Sequence, residues 1–241
     1  MRRDGRNAHD LRPVRITRGF TQNAPGSVLI ETGETRVLCT ASVTDSIPRW
    51  LHGKGHGWIT AEYSMLPASG GRRKARDRGG RVDGRSVEIQ RLIGRCLRAI
   101  TDLSLLPERS FWLDCDVLQA DGGTRTAALT GAYVALHDCL AHQKETRNLR
   151  AWPLRTQIAA VSVGIVDGDP MLDLDYSEDS TADADMVLSM TGNGEIVEVQ
   201  GGAEKNPFSP EAFFELVEMA RGGVEELLGH QAQALGLEEA G

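Results

Sequence analysis

The chain has 241 residues, of which 40% are hydrophobic and 25% charged, and a net charge of −7. That is ordinary globular composition, and it excludes a disordered chain and a protein that is basic throughout. No apolar run approaches the roughly 20 residues of a membrane helix, and the opening MRRDGRNAHD lacks the apolar stretch of a secretory signal, so a soluble cytoplasmic protein is expected. Cys39, Cys96, Cys115 and Cys139 lie far apart among aliphatic residues. This predicts reduced, buried thiols in place of disulfides or a zinc pair.

In chain order, SVLIETGETRVLCTASV (27–43) reads as two β-rich runs joined at TGET, hence a hairpin, and GWITAEY (57–63) as a further strand. RRKARDRGGR (72–81) follows, with six basic residues against one acid on an otherwise acidic body. Its glycines and its lack of apolar residues predict a loop, either merely solvated or suited to a phosphate backbone. Ile89, Leu92, Ile93, Cys96 and Ile100 then fall at the spacing of a helix with one buried face. FWLDCDVLQ (111–119) alternates as a strand, and its Asp114 and Asp116 call for partners, most simply arginines.

After ADGGTRT comes a second amphipathic helix, with Leu129, Ala132, Tyr133, Leu136 and Leu140 on its apolar face. The second half offers a hairpin around DGDP, another around TGNG, and a terminal helix with Ser209 as N-cap and Pro210 at its first position. Antiparallel groups of strands with helices between them predict a layered α+β fold, and no linker divides the chain, so one domain over residues 1–241 is expected.

Three segments can carry chemistry. Gly122, Gly123, Thr124 and Arg125 stand where a strand ends and a helix begins. The unpaired N–H groups and the dipole of a helix start attract an anion, a threonine adds a hydroxyl donor, and an arginine adds a planar fork that fits phosphate. A plain cap with a surface arginine is the alternative. Neither the P-loop spacing nor the glycine pattern of dinucleotide folds is present. Arg85 opens the first helix in a comparable way.

DLDYSEDSTADAD (173–185) holds six carboxylates and no base. Such carboxylates repel one another unless a cation relieves them. The EF-hand pattern fails, because Glu178 stands where its glycine belongs and Ala184 where its closing glutamate belongs. Asp179 and Asp185, six apart, would face the same way on extended backbone, and one or two carboxylates with a substrate phosphate is how magnesium is usually held. His137 and His142 miss the zinc-helix spacing.

Together, in this order, RDGR, LRPVRIT, VLCTASV, GWITAEYSMLP, EIQRLIGRCLRA, LDCDVLQADGGTRTA, DLDYSEDS and VEVQGGAE resemble the RNase PH family of phosphate-dependent 3′ exoribonucleases. The resemblance implies a two-layer α+β unit, a homohexameric ring (a trimer of dimers), and trimming of the 3′ ends of tRNA precursors and other RNAs. Inorganic phosphate would release nucleoside 5′-diphosphates reversibly, as a tRNA nucleotidyltransferase does. It also implies that Arg85, Gly123, Thr124 and Arg125 bind phosphate. Asp179 and Asp185 would be the catalytic carboxylates, with Mg2+ or another divalent cation on Asp185 and Asp179. Arg72, Arg73, Lys74, Arg76, Arg78 and Arg81 would hold the RNA.

Gly202 departs from the family pattern, standing where threonine is expected; EKNPF after Ala203 is unusual, and Asp183 adds a carboxylate nearby. The alternative is a catalytic or non-catalytic RNA-binding subunit of a larger exosome-like ring.

Overall fold

Alternating apolar residues dictate the strands of the first half: β1 (Val14–Arg18), β2 (Gly26–Thr32), β3 (Thr35–Thr44), β4 (Trp58–Met65) and β5 (Ser110–Gln119). The computed structural model describes residues 2–76, 83–146 and 148–237. The five strands form one sheet in the order β1-β2-β3-β5-β4. The expected turn at TGET closes β2 onto β3, with Thr32 paired to Thr35. All neighbours are antiparallel except β4 and β5. The exception follows from chain order: α1 (Gly84–Ala99) lies between these two strands, and a helical crossover returns the chain in the same direction.

The second half builds β6 (Ile158–Val166), β7 (Asp169–Leu172), a one-turn α3 (Tyr176–Asp179), β8 (Ala184–Thr191), β9 (Ile196–Ala203) and α4 (Pro210–Leu235). Its four strands form an antiparallel sheet in the order β7-β6-β8-β9. As expected, Ser209 caps α4, its hydroxyl accepting from the Ala212 N–H, with Pro210 at the helix start.

The second helix departs from expectation. In α2 (Thr124–Glu145) buried residues occupy nearly every position from Thr124 to Leu136, so this part is not amphipathic, and a polar face returns only in the last turns, where His142, Lys144 and Glu145 are exposed. The reason is tertiary: α2 packs on β2 and β3 of the first sheet and on β6 of the second. Where a helix runs between two sheets it has no solvent face to keep polar. Strand β6 is correspondingly buried on both sides. Ile158 and Ala160 join the core beneath the first sheet, whereas Ala159, Val161 and Val163 pack with Leu216, Ala220 and Val224 of α4. Each half is thus a sheet covered by helix, and the two units stack as sheet, helices, sheet, helix.

Among the described residues no arginine pairs with Asp114 or Asp116. They lie on the outer face of the first sheet, where Asp114 is in register with Thr40 on one side and Glu62 on the other. Desolvation raises both carboxyls above their usual range, and Glu62 pushes Asp114 further. All four cysteines are free and buried, as expected.

Candidate active site

The two glycines that precede α2 adopt left-handed backbone, with φ of 72° at Gly122 and 62° at Gly123, a conformation that costs other residues energy. Space requires them as well. A Cβ on Gly122 would fall 2.6 Å from the Leu174 carbonyl oxygen, and one on Gly123 would fall 2.7 Å from Nη2 of Arg12. The glycines therefore let the start of α2 press against the segment after β7, which carries the acidic residues. Among the described residues no side chain caps this helix start, and Gly123, Thr124 and Arg125 line an open cleft. Thr124, the first helical residue, is buried, and its Oγ1 accepts a 2.8 Å hydrogen bond from the hydroxyl of Tyr63 on β4. With Tyr63 donating, the Thr124 hydroxyl proton is free to point at an anion. Burial pushes the Tyr63 hydroxyl above its usual range, which keeps it a donor.

Arg125 reaches across to β9, donating from Nη1 to Gln200 Oε1 at 3.1 Å, with Glu88 of α1 at 3.4 Å. Arg85 is exposed near the start of α1. It lines the same cavity as Gly123, Thr124 and Arg125, a cleft of about 480 Å³ that also takes in Asp179 and Asp185. The six residues that the sequence marks for phosphate and for catalysis, scattered over a hundred positions, meet in one place.

The acidic segment is less alike than its composition suggests. Asp173 is buried and held by Arg12, which donates from Nη2 to Oδ1 at 2.7 Å and from Nε to Oδ2 at 2.9 Å. Glu178 is gripped in the same forked way by Arg2, at 2.7 and 2.6 Å. Arg2 also donates to the Leu172 and Asp173 carbonyls, and Arg12 to that of Asp121, just before the glycines. Asp175 caps α3 by accepting from the Glu178 N–H, and Glu178 accepts from the Asp175 N–H in return.

The expected mutual repulsion of six carboxylates does not hold for the buried members: Arg2, just before the RDGR stretch, and Arg12, within LRPVR, neutralise Glu178 and Asp173. The sequence alone did not assign Arg2, Arg12 or Tyr63 a part in this site. The signal available was the pair of basic motifs near the N-terminus, but nothing local connects them to residues some 170 positions away.

Asp179 and Asp185 remain for the cavity. They do not sit on one extended run, as spacing suggested: Asp179 ends α3, Asp185 is the second residue of β8, and a turn separates them. Although Asp179 is exposed, its carboxyl lies above the usual range. The cavity walls withdraw water from it, and Asp185 adds negative charge, while Arg85 and Arg125 act in the opposite sense. Among the described residues no cluster of three or more His, Cys, Asp or Glu side chains has metal-binding geometry. Two facing carboxylates without a full cage do not suit a closed zinc or calcium site. They do suit magnesium, which keeps waters and takes further oxygens from a substrate phosphate.

Asp183 turns away: its carboxylate accepts from Asn206, and its backbone carbonyl from the N–H groups of Glu204 and Lys205. Gly202 lies opposite Asp185 in the ladder, and a Cβ there would meet open space, so sterics do not require glycine at that point. His137 packs edge-on against Trp152, away from the cleft.

Of the basic run, Arg72, Arg73 and Arg76 are exposed. Lys74 is tied to Asp83, the residue just before α1, which holds the Asp83 carboxyl below its usual range. Arg78 and Arg81 lie outside the described residues. Among the described residues, no helix is long and apolar enough to cross a membrane.

Comparison with known proteins agrees with this architecture. In structure the chain is similar to rice (Oryza sativa) Rrp46, with a TM-score of 0.78 at 19% identity, over 97% of this chain and 100% of that one. It is also similar to a chain of the Archaeoglobus fulgidus exosome with RNA bound to the active site, with a TM-score of 0.78 at 22% identity over 94% and 91% of the two chains. An archaeal exosome core chain matches with a TM-score of 0.76 at 22% identity, over 95% and 90%. Identities this low establish a common fold. The sequence itself matches two family models, the first domain of the 3′ exoribonuclease family at residues 10–141 and the second domain at residues 156–223. The chain belongs to the RNase PH family of 3′ exoribonucleases.

Proposed function

We propose that this protein is a phosphorolytic 3′-to-5′ exoribonuclease that shortens tRNA precursors and other RNAs with free 3′ ends. One observation carries the reading: Arg85, the start of α2, Asp179 and Asp185 line a single cleft. Inorganic phosphate and an RNA end are both anions, and bringing them together requires fixed positive charge. The Thr124 hydroxyl and the free N–H groups at the start of α2 cradle the phosphate, and the Arg85 and Arg125 forks hold its outer oxygens.

One phosphate oxygen attacks the phosphorus of the last phosphodiester and the bond to the preceding 3′ oxygen breaks. A nucleoside 5′-diphosphate leaves, and the RNA is one nucleotide shorter. The departing 3′ oxygen takes up a proton. Asp179, whose carboxyl is raised by desolvation and by Asp185, is the group suited to deliver it. Asp185 would hold a magnesium ion, which supplies charge neutralisation at the transferring phosphoryl group, with Asp179 a further ligand only once it has given up its proton.

In this reading Arg72, Arg73 and Arg76 contact the RNA backbone and give affinity without sequence preference. Lys74 contributes only if it leaves Asp83. The assembly that fits the family is a homohexameric ring. The alternative, a subunit of an exosome-like ring, draws support from the similarity to exosome chains. The presence of Arg85, Thr124, Arg125, Asp179 and Asp185 in the cleft favours a catalytic subunit over an inert one.

A tRNA carrying extra 3′ nucleotides, incubated with and without phosphate, tests the proposal. Nucleoside diphosphates that form only with phosphate are the expected product. Monophosphates, or no cleavage at all, would refute it.

A further inference from the structure

A second cavity, of about 810 Å³, opens from the first and shares Arg85, Gly123, Thr124 and Asp179 with it. Its remaining walls are of another kind: Met65 at the end of β4, Gly70, Gly71 and Arg72 after it, Ala120 and Gly122 after β5, and Tyr176. Tyr176 is 65% exposed, the second most exposed large hydrophobic side chain among the described residues. It is not on a loose loop. It begins α3, which is closed by the reciprocal Asp175–Glu178 cap and fastened to the body by the fork of Arg2 on Glu178. A rigidly mounted aromatic ring that faces solvent instead of the core loses hydrophobic stabilisation unless something covers it.

We propose that Tyr176 is the platform on which the terminal base of a single-stranded RNA stacks, with Met65 on the neighbouring wall. This rests on the function proposed above and assigns the nucleoside side of the same site. Three features commit the cavity to that occupant. It is continuous with the phosphate cleft through Thr124 and Asp179, so a base lying here places its own 5′ phosphorus at the junction of the two cavities. Arg72 and Arg85 on its rim supply positive charge for the adjoining backbone phosphates. Its aromatic and thioether surfaces offer no fixed pattern of donors and acceptors. Every base has a π-face, so such a site accepts all four. The ring and Asp179 stand at opposite ends of the same helical turn. The group that reads the nucleoside and the group proposed to deliver the proton are thereby held in fixed relation.

The test is binding of a short 5′-labelled single-stranded RNA to the full chain, followed by fluorescence anisotropy with phosphate omitted. Wild type, Tyr176→Ala and Tyr176→Phe are each compared on this RNA and on the same RNA with an abasic 3′-terminal nucleotide. The exposed ring can be truncated without touching the core, so folding is retained. Tyr176→Ala should bind the intact RNA roughly 10-fold or more weakly, and Tyr176→Phe should bind it as wild type does. Removing the terminal base should weaken wild type by the same factor yet leave Tyr176→Ala unchanged.

No loss in Tyr176→Ala, an equal loss on both RNAs, or a loss in Tyr176→Phe matching that in Tyr176→Ala would each overturn the assignment. The two readings fail separately. Wild type that stacks the base on Tyr176 but releases no diphosphate with phosphate present removes the proposed reaction and keeps this site. Diphosphate release by Tyr176→Ala at the wild-type KM for RNA removes this site alone.

Discussion

Two sets of arginines surround the cleft, and the same side chain does opposite work in each. Arg2 and Arg12 are buried, and their guanidinium groups are engaged by Glu178, Asp173 and backbone carbonyls. Their charge is neutralised within the protein, and what they contribute is position: they bind the acidic segment to the glycine turn before α2. Arg85 and Arg125 sit near helix starts, exposed or half-exposed, and among the described residues Arg125 has only longer contacts to Glu88 and Gln200. Their charge remains available to an incoming anion. The difference lies in surroundings rather than residue type. A fork that is fully satisfied inside the protein fixes geometry, and one left at the edge of water can bind.

The comparison is broken most directly by removing a buried fork. Arg12→Ala leaves Asp173 as a buried charge without its partner, and such a loss costs about 3–5 kcal/mol. Urea denaturation should show it, and a change under about 1 kcal/mol would mean that the strap does not hold the site. Arg125→Ala should do the reverse, keeping the urea midpoint of the wild type while losing on the order of 100-fold or more of phosphate-dependent cleavage. Full activity in that variant would place the phosphate elsewhere.

Asp179→Asn sharpens the contrast through pH. The folded-state pKa of Asp179 is raised, so the folded protein holds this proton where the unfolded chain has released it. Wild type therefore loses stability as pH rises from the ordinary carboxylate range through the raised value. The asparagine variant should lack that loss, equalling or exceeding wild type in thermal midpoint at neutral pH. Its cleavage rate should fall and lose the decline that wild type shows as the proton leaves; an unchanged rate and pH profile would remove Asp179 as the donor. The smallest effect belongs to a third arrangement, the partly exposed Lys74–Asp83 pair. Lys74→Ala should alter stability by less than about 1 kcal/mol. A much larger change would show that the basic loop is structurally anchored at this point.

Much of this could be read directly from the sequence. Alternation revealed the strands, the hairpins at TGET, DGDP and TGNG, and the Ser209–Pro210 helix start, because each depends on neighbours within a few residues. The glycine turn before Thr124 was legible as an anion site for the same reason: a helix start is a local object. The parallel pairing of β4 with β5 and the all-round burial of α2 were not, since both depend on which sheet lies across a helix. Among the described residues the arginine partners expected for Asp114 and Asp116 were absent, whereas Asp173 and Glu178, expected to repel, had them.

By itself, then, the sequence determined the elements, the chemistry available at the start of α2 and the candidates Arg85, Arg125, Asp179 and Asp185, because propensity, capping and charge act over short stretches of chain. Tertiary structure alone decided which carboxylates were neutralised and which faced the cleft. It also set Tyr63 beneath Thr124 and held the ring of Tyr176 at the rim. Those outcomes depend on groups brought together from distant parts of the chain, where burial and the nearest opposite charge, rather than spacing, fix what a side chain can do.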